Sequence, residues 1–161
     1  MLNWLLAIRL ALLAIYTGHD PADAGRFAEV CVREATHYTS PQRLCAVAWV
    51  ESRLRYRATN DGGHCGAWQQ APRWSTMWGD DCWQDDTVTC RQPGGRGVTC
   101  EELMDLNLAA RVAARHLTYL TRRYESGALC RYAGATGARC VRYAARVNKV
   151  ERLLSGLLSG R

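Results

Sequence analysis

Apolar and polar positions alternate along this chain in stretches of helical period, separated by two polar, turn-rich regions. After an apolar run from Leu2 to Tyr16, the residues Phe27, Val30, Cys31, Ala35 and Tyr38 fall on one face and predict a helix to about residue 38. If the N-terminal run is retained, Asp20-Pro21 supplies the N-cap and first residue of that helix. Thr39-Ser40-Pro41 breaks the chain and starts another helix, with Ser40 as N-cap and Pro41 at the first position. On it Leu44, Val47, Ala48, Glu51 and Leu54 share a face, so Glu51 is presented from an apolar stripe near the C-terminal end. Residues 58–71 read as a loop, with Asn60-Asp61-Gly62-Gly63 a strong turn signal. Residues 72–100 are the least regular: Trp74, Trp78 and Trp83, acidic pairs Asp80-Asp81 and Asp85-Asp86, and Pro93-Gly94-Gly95. The β-rich candidate lies at 87–89. Thr99 then N-caps a long amphipathic helix, with Glu101 and Glu102 in its first turn, where they complement the dipole. Leu103, Leu106, Ala110, Ala113, Leu117, Leu120 and Tyr124 step along it by three and four until Gly127 ends it. Gly134 and Gly137 mark a second loop, and a last helix carries Tyr143, Val147, Val150, Leu154 and Leu157 on one face. The fold class is mainly α, in one domain, since no internal repeat or linker interrupts the pattern.

Cysteine usage changes this picture most. Eight cysteines, at 31, 45, 65, 82, 90, 100, 130 and 140, are spread through 161 residues. No CxxC pair occurs and the four histidines do not fall at ligand spacing beside them, so a disulfide framework is expected rather than a metal site, and no cofactor is implied. Disulfides point to an oxidising compartment. Three cysteines in residues 72–100 suggest that this long irregular segment is stapled.

Residues 1–24 fit a targeting segment. Residues 1–9 form the n-region with Arg9 as its basic side chain, residues 10–16 a short h-region, and Ala22-Asp23-Ala24 an A-x-A cleavage site. The run from Leu2 to Tyr16 is too short to span a bilayer. The expected organisation is a signal peptide over 1–24 and the functional domain over 25–161; the alternative is a core helix that stays in the mature chain. The first reading, with the disulfides, makes the protein exported, either periplasmic or extracellular.

The net charge of +6 suits an anionic partner: wall polymer, membrane surface or nucleic acid. The arginines are dispersed and no groove-reading motif occurs, which argues against nucleic acid.

Over about residues 25–150 the chain resembles the lytic transglycosylases of the soluble-lytic-transglycosylase type, which share a lysozyme-like fold with goose-type lysozyme. The family's catalytic "E-S" at the end of an apolar helix is matched by Glu51-Ser52, and its "G-x-x-Q" by Gly66-Ala67-Trp68-Gln69. Its "N-i-x-x-g-a-x-y-L" helix is similar to the stretch from Asn107 to Leu117, read with a gap of about one residue, and its closing "Y-x-x-x-V" to Tyr143 and Val147. The family's "Y-N-x-G" is altered: either Tyr132 is its Tyr and Ala133 replaces Asn, or Arg131 takes the Tyr position. The segment of residues 74–100 is longer and richer in Trp and Cys than in a minimal member.

The resemblance implies a lysozyme-like domain with a disulfide-stapled, Trp-rich insert. It also implies cleavage of the MurNAc-GlcNAc β-1,4 bond of peptidoglycan, leaving a 1,6-anhydro-MurNAc end. Glu51 would act first as general acid and then as base on the C6 hydroxyl, with help from the substrate's acetamido group. An acid of this kind must hold its proton near neutral pH, and both an apolar setting and the negative end of a helix dipole raise a carboxyl pKa. The bland alternative for Glu51 is a surface carboxylate paired with Arg53 or Arg55. Ser52, Gln69, Trp68, Tyr132 and Tyr143 are the expected substrate-binding residues. Their alternatives are a helix-end hydroxyl for Ser52, a loop-bracing amide for Gln69, and core packing for Trp68 and Tyr143. Trp74 and Trp78 could stack on sugars or pack in the core, and His64 reads as an ordinary loop residue.

Two further functions fit less of the sequence. A second carboxylate, either Asp61 or one of the acidic pairs, would favour a goose-type-like muramidase acting through water. A wall-binding or assembly protein would keep the fold without chemistry. The expected partners are peptidoglycan strands and either a secretion, pilus or conjugation apparatus or a phage particle, which would make the protein virion-associated.

Overall fold

The structure, a computed structural model, describes residues 2–78, 82–84, 87–88 and 98–156. The acidic residues Asp80, Asp81, Asp85 and Asp86, together with Thr89, Cys90, Pro93, Gly94, Gly95, Leu157 and the side chain of Trp74, lie outside the described residues.

The fold is mainly helical. Helix α1 spans Leu2–Tyr16, α2 Ala24–Glu34 and α3 Pro41–Ser52. A four-residue α4, Pro72–Ser75, is followed by a short antiparallel pairing of β1 (Trp83–Gln84) with β2 (Thr87–Val88). Helix α5 covers Leu106–Tyr124, α6 Ala128–Tyr132 and α7 Gly137–Ser155. One large core joins α1, α2, α3, α5 and α7, with Phe27, Leu44, Val47, Trp68, Leu117, Val147 and Leu154 almost fully enclosed. A smaller cluster of Cys65, Trp78, Leu103 and Val112 closes the side beneath the irregular segment.

The N-terminal segment packs as a core helix. Its Leu6, Leu10 and Ala14 are buried, and α1 lies against α2 and α7. Arg9 Nη1 donates 2.6 Å to the Leu154 carbonyl at the end of α7, so the one charge of α1 satisfies a terminal carbonyl of that helix. Among the described residues no helix is long and apolar enough to cross a membrane.

Helix α3 begins as its capping residues dictate. Ser40 Oγ accepts from the Arg43 amide at 3.0 Å and Pro41 occupies the first turn. Arg53 (φ 57°) and Leu54 (φ 61°) turn left-handed and stop the helix just after Glu51 and Ser52. Other boundaries differ from the sequence expectation. Asp20 forms a local turn, accepting from the Ala22 amide at 2.8 Å, and α2 starts only at Ala24. Helix α2 ends at Glu34, short of Tyr38, because Thr36 and Thr39 bond each other's backbone and share hydroxyl contacts with buried Thr118 of α5.

Thr99 does form a reciprocal cap with Glu102, but that cap opens only a 3₁₀ turn, Glu102–Met104. Asp105 then caps α5 separately, accepting from the Leu108 amide at 2.8 Å. Helix α5 stops at Glu125 (φ 45°), before Gly127, and the stretch between the two loops contains the unexpected α6.

Three disulfides are described, and no described cysteine is free. Cys31–Cys45 ties α2 to α3, Cys65–Cys100 ties the Gly-rich loop to the entry of α5, and Cys130–Cys140 ties α6 to α7.

Candidate functional site

Glu51 sits on the wall of a cavity of about 510 Å³ between the end of α3, the loop of residues 58–71, α6 and α7. Helix phase sets it on the face of Leu44, Val47 and Ala48, one turn beyond the last of them, and the left-handed turn at Arg53 ends the helix there, where the cavity opens. It is the only carboxylate among the described residues lining this cavity. Burial raises its pKa above the ordinary 4.5; the Tyr143 hydrogen bond and the nearby Arg146 charge pull the other way without cancelling that effect.

Tyr143, from the middle of α7, donates its hydroxyl to Glu51 Oε1 at 2.5 Å. Tyr132, from the end of α6, donates to the Trp68 carbonyl at 2.9 Å and accepts from Gln70 Nε2. Both phenol pKa values are pushed well up, first by burial and next by the Glu51 charge, so both rings act only as neutral hydroxyls. Because the Tyr143 bond favours the Glu51 carboxylate, Tyr143→Phe is expected to shift Glu51's titration to higher pH. Carboxyl ¹³C NMR reads this directly, and a downward shift would show that the bond does not hold the ionised form.

The other expected site residues are placed differently. Trp68 is a core residue and corrects the sugar-stacking expectation: it is fully buried, its Nε1 donates 2.9 Å to the Leu44 carbonyl, and its ring packs on Phe27. It supports the floor of the site from behind. Ser52 is buried and takes the helix-end role, donating to the Ala48 carbonyl at 3.2 Å and accepting from the Arg55 amide at 3.0 Å. Gln69 lines the cavity, yet both ends of its amide are committed to the loop. Its Oε1 accepts from Asn60 at 2.9 Å, and its Nε2 donates to the carbonyls of Gly66 at 2.9 Å and Ala58 at 3.2 Å. Asp61 is exposed at the turn and does not line the cavity.

The loop itself is pinned at Gly66. The Gly66 amide donates 2.8 Å to the Ala58 carbonyl, and its backbone lies at φ +75° against the Leu103 carbonyl, where a Cβ would overlap that oxygen. Cys65 and Gln70 exchange backbone bonds of 2.9 and 3.0 Å on either side, which fixes the turn that carries Gln69 to the cavity.

A second cavity, of about 410 Å³, continues past Tyr132 and shares His64, Gln69 and Ala133 with the first. Its wall is aromatic: Trp78 stacks on His116 with centroids 4.8 Å apart, and His116 meets Tyr132 at 5.1 Å. Burial lowers the His116 pKa to about 4, so the ring is neutral at neutral pH. Its Nδ1 and the Trp78 Nε1 are buried without a hydrogen-bond partner among the described residues.

Sequence reasoning missed Gln70, His116 and the arginines of α7 that line the first cavity, Arg139, Arg142 and Arg146. A signal existed for the last three: with Tyr143 they fall within one helical face. Gln70 and His116 carried none, since a loop has no period and His116 follows Arg115 on an amphipathic helix where a polar side chain is unexceptional.

The groups brought together are a raised-pKa carboxyl, two neutral hydroxyls, an aromatic wall and a basic rim, a set that can move a proton and hydrogen-bond a polar ligand. No protein-family model, curated protein or solved structure matches this chain.

Proposed function

We propose that this protein is a peptidoglycan lytic transglycosylase with a lysozyme-like fold, cleaving the MurNAc-GlcNAc β-1,4 bond with Glu51 as acid and then base. The observation that carries this reading is Glu51 itself, a carboxyl with raised pKa at the end of an apolar helix and facing an open cavity. Its position there agrees with the order of motifs that resembles the family. Protonated Glu51 delivers its proton to the leaving glycosidic oxygen. The Tyr143 hydroxyl then steadies the carboxylate left behind.

Water-using glycosidases place a second carboxylate roughly 6.5–9.5 Å away for inversion or about 5–5.5 Å away for retention. None of the described residues lining the cavity fills that place. The substrate's own C6 hydroxyl is held near the reacting carbon at high effective concentration, and Glu51 can accept its proton to close the 1,6-anhydro ring. Export, as a periplasmic or extracellular protein, is part of this proposal, and the disulfides support it.

Digestion of purified peptidoglycan in ¹⁸O water, with mass spectrometry of the released muropeptides, tests the reaction. Unlabelled anhydro ends are expected. Label at new muramic-acid ends would replace the proposal with a muramidase.

A further inference from the structure

One rim of the Glu51 cavity is built from arginines that the chemistry above does not use. Arg139, Arg142 and Arg146 project from α7 at positions i, i+3 and i+7, around Tyr143, and all three line the cavity. All are exposed, and among the described residues no carboxylate pairs with any of them. On the same helix Glu151 is already taken by Arg43, at 2.6 Å.

This placement is unfavourable for the free protein. Arg142 and Arg146 are like charges one helical turn apart, which destabilises a helix. Arg139 and Arg142 also lie in the first turns of α7, which starts at Gly137, where the helix dipole disfavours cations. Arg146 is close enough to Glu51 to act on its ionisation, so the basic rim reaches the reacting carboxyl. An anionic group on a bound ligand would relieve both repulsions at once.

We infer that Arg139, Arg142 and Arg146 form a subsite for carboxylates carried by the substrate beside the bond that Glu51 cleaves. On the wall-cleaving reading, on which the identity of the ligand rests, these are the carboxylates of the peptide stems attached to muramic acid. The subsite makes the protein select strands with charged stems over strands whose stems are neutral. The aromatic cavity on the far side of Tyr132 offers no such charge ladder, so the selection acts on one side of the cleft.

The test compares peptidoglycan freed of phosphate polymers, with its stem carboxylates either native or converted to amides. The wild type is expected to release products from native strands about ten-fold faster, the size that two or three exposed ion pairs give together. Arg139→Gln with Arg142→Gln should bring that ratio to about one, and Arg139→Lys with Arg142→Lys should restore most of it, because charge and not shape is read. A ratio near one for the wild type, or an unchanged ratio in the glutamine variant, overturns the inference and leaves the cleavage proposal standing. If the wild type cuts neither strand, the cleavage proposal falls. The subsite is then judged by calorimetric titration with native and amidated muropeptides. Tighter binding of the native form, lost in the glutamine variant, supports it; equal affinity or no binding overturns it.

Discussion

Glu51→Gln should abolish wall lysis, by at least about 10²–10⁴-fold, the usual contribution of a positioned general acid. The amide keeps the shape of the side chain and an oxygen for the Tyr143 hydroxyl, but has no proton to deliver to a leaving oxygen. Stability should move the other way. Burial raises the Glu51 pKa in the folded protein above its ordinary 4.5, so the folded state holds the proton more tightly than the unfolded chain does. The stability linked to that proton is fully present below the unfolded value and is lost as pH rises through the folded value. Glutamine cannot ionise, so the variant should match the wild type in Tm at pH below 4.5 and equal or exceed it at neutral pH. Turbidity assays and thermal melts at the two pH values check both halves. Lysis at a tenth of the wild-type rate or better, with an unchanged circular dichroism spectrum, would remove Glu51 from the chemistry.

Gly66→Ala should be the most damaging single methyl in the loop. The residue occupies the left-handed region and its Cβ would overlap the Leu103 carbonyl oxygen, which belongs to the backbone and cannot swing aside. The left-handed penalty and the overpacking together amount to about 2–5 kcal/mol. For a chain of this length that is a fall in Tm of roughly 5–20 °C. Gly25→Ala is the control: nothing lies within 4 Å of its added methyl, and it stands inside α2, where alanine is preferred. Equal melting of the two variants would show that the loop yields.

Local chemistry was legible in the sequence where a single side chain decides the backbone. Ser40 and Pro41 start α3 where expected, and Thr99 and Glu102 cap each other. The sequence could not say that this second cap opens a 3₁₀ turn, since Asp105 competes as a start only six residues later. Helix α6 was invisible because five residues are too few to show a period. Glu51 and Tyr143 were both named from the chain, but their contact spans 92 residues of separation and belongs to the tertiary packing of α3 on α7. Trp68 and Gln69 illustrate the opposite limit. A loop residue has no periodic face, so nothing in the sequence told that the ring turns into the core or that the amide spends both ends on Asn60, Gly66 and Ala58.

The Cys130–Cys140 bridge has a mechanical consequence. Tyr132 stands on α6 and Tyr143 on α7, and a covalent ring of ten residues of separation joins the two helices beside the cleft. The two helices cannot swing apart as independent bodies, so the side of the cavity that carries both tyrosines keeps one shape. Little conformational freedom remains to be lost at that corner when a ligand docks, and binding is correspondingly less opposed by entropy. On the proposed reading, the same rigidity makes Tyr132 and Tyr143 a fixed template: the sugar must fit the pair as it stands, since neither ring can retreat without the other's helix.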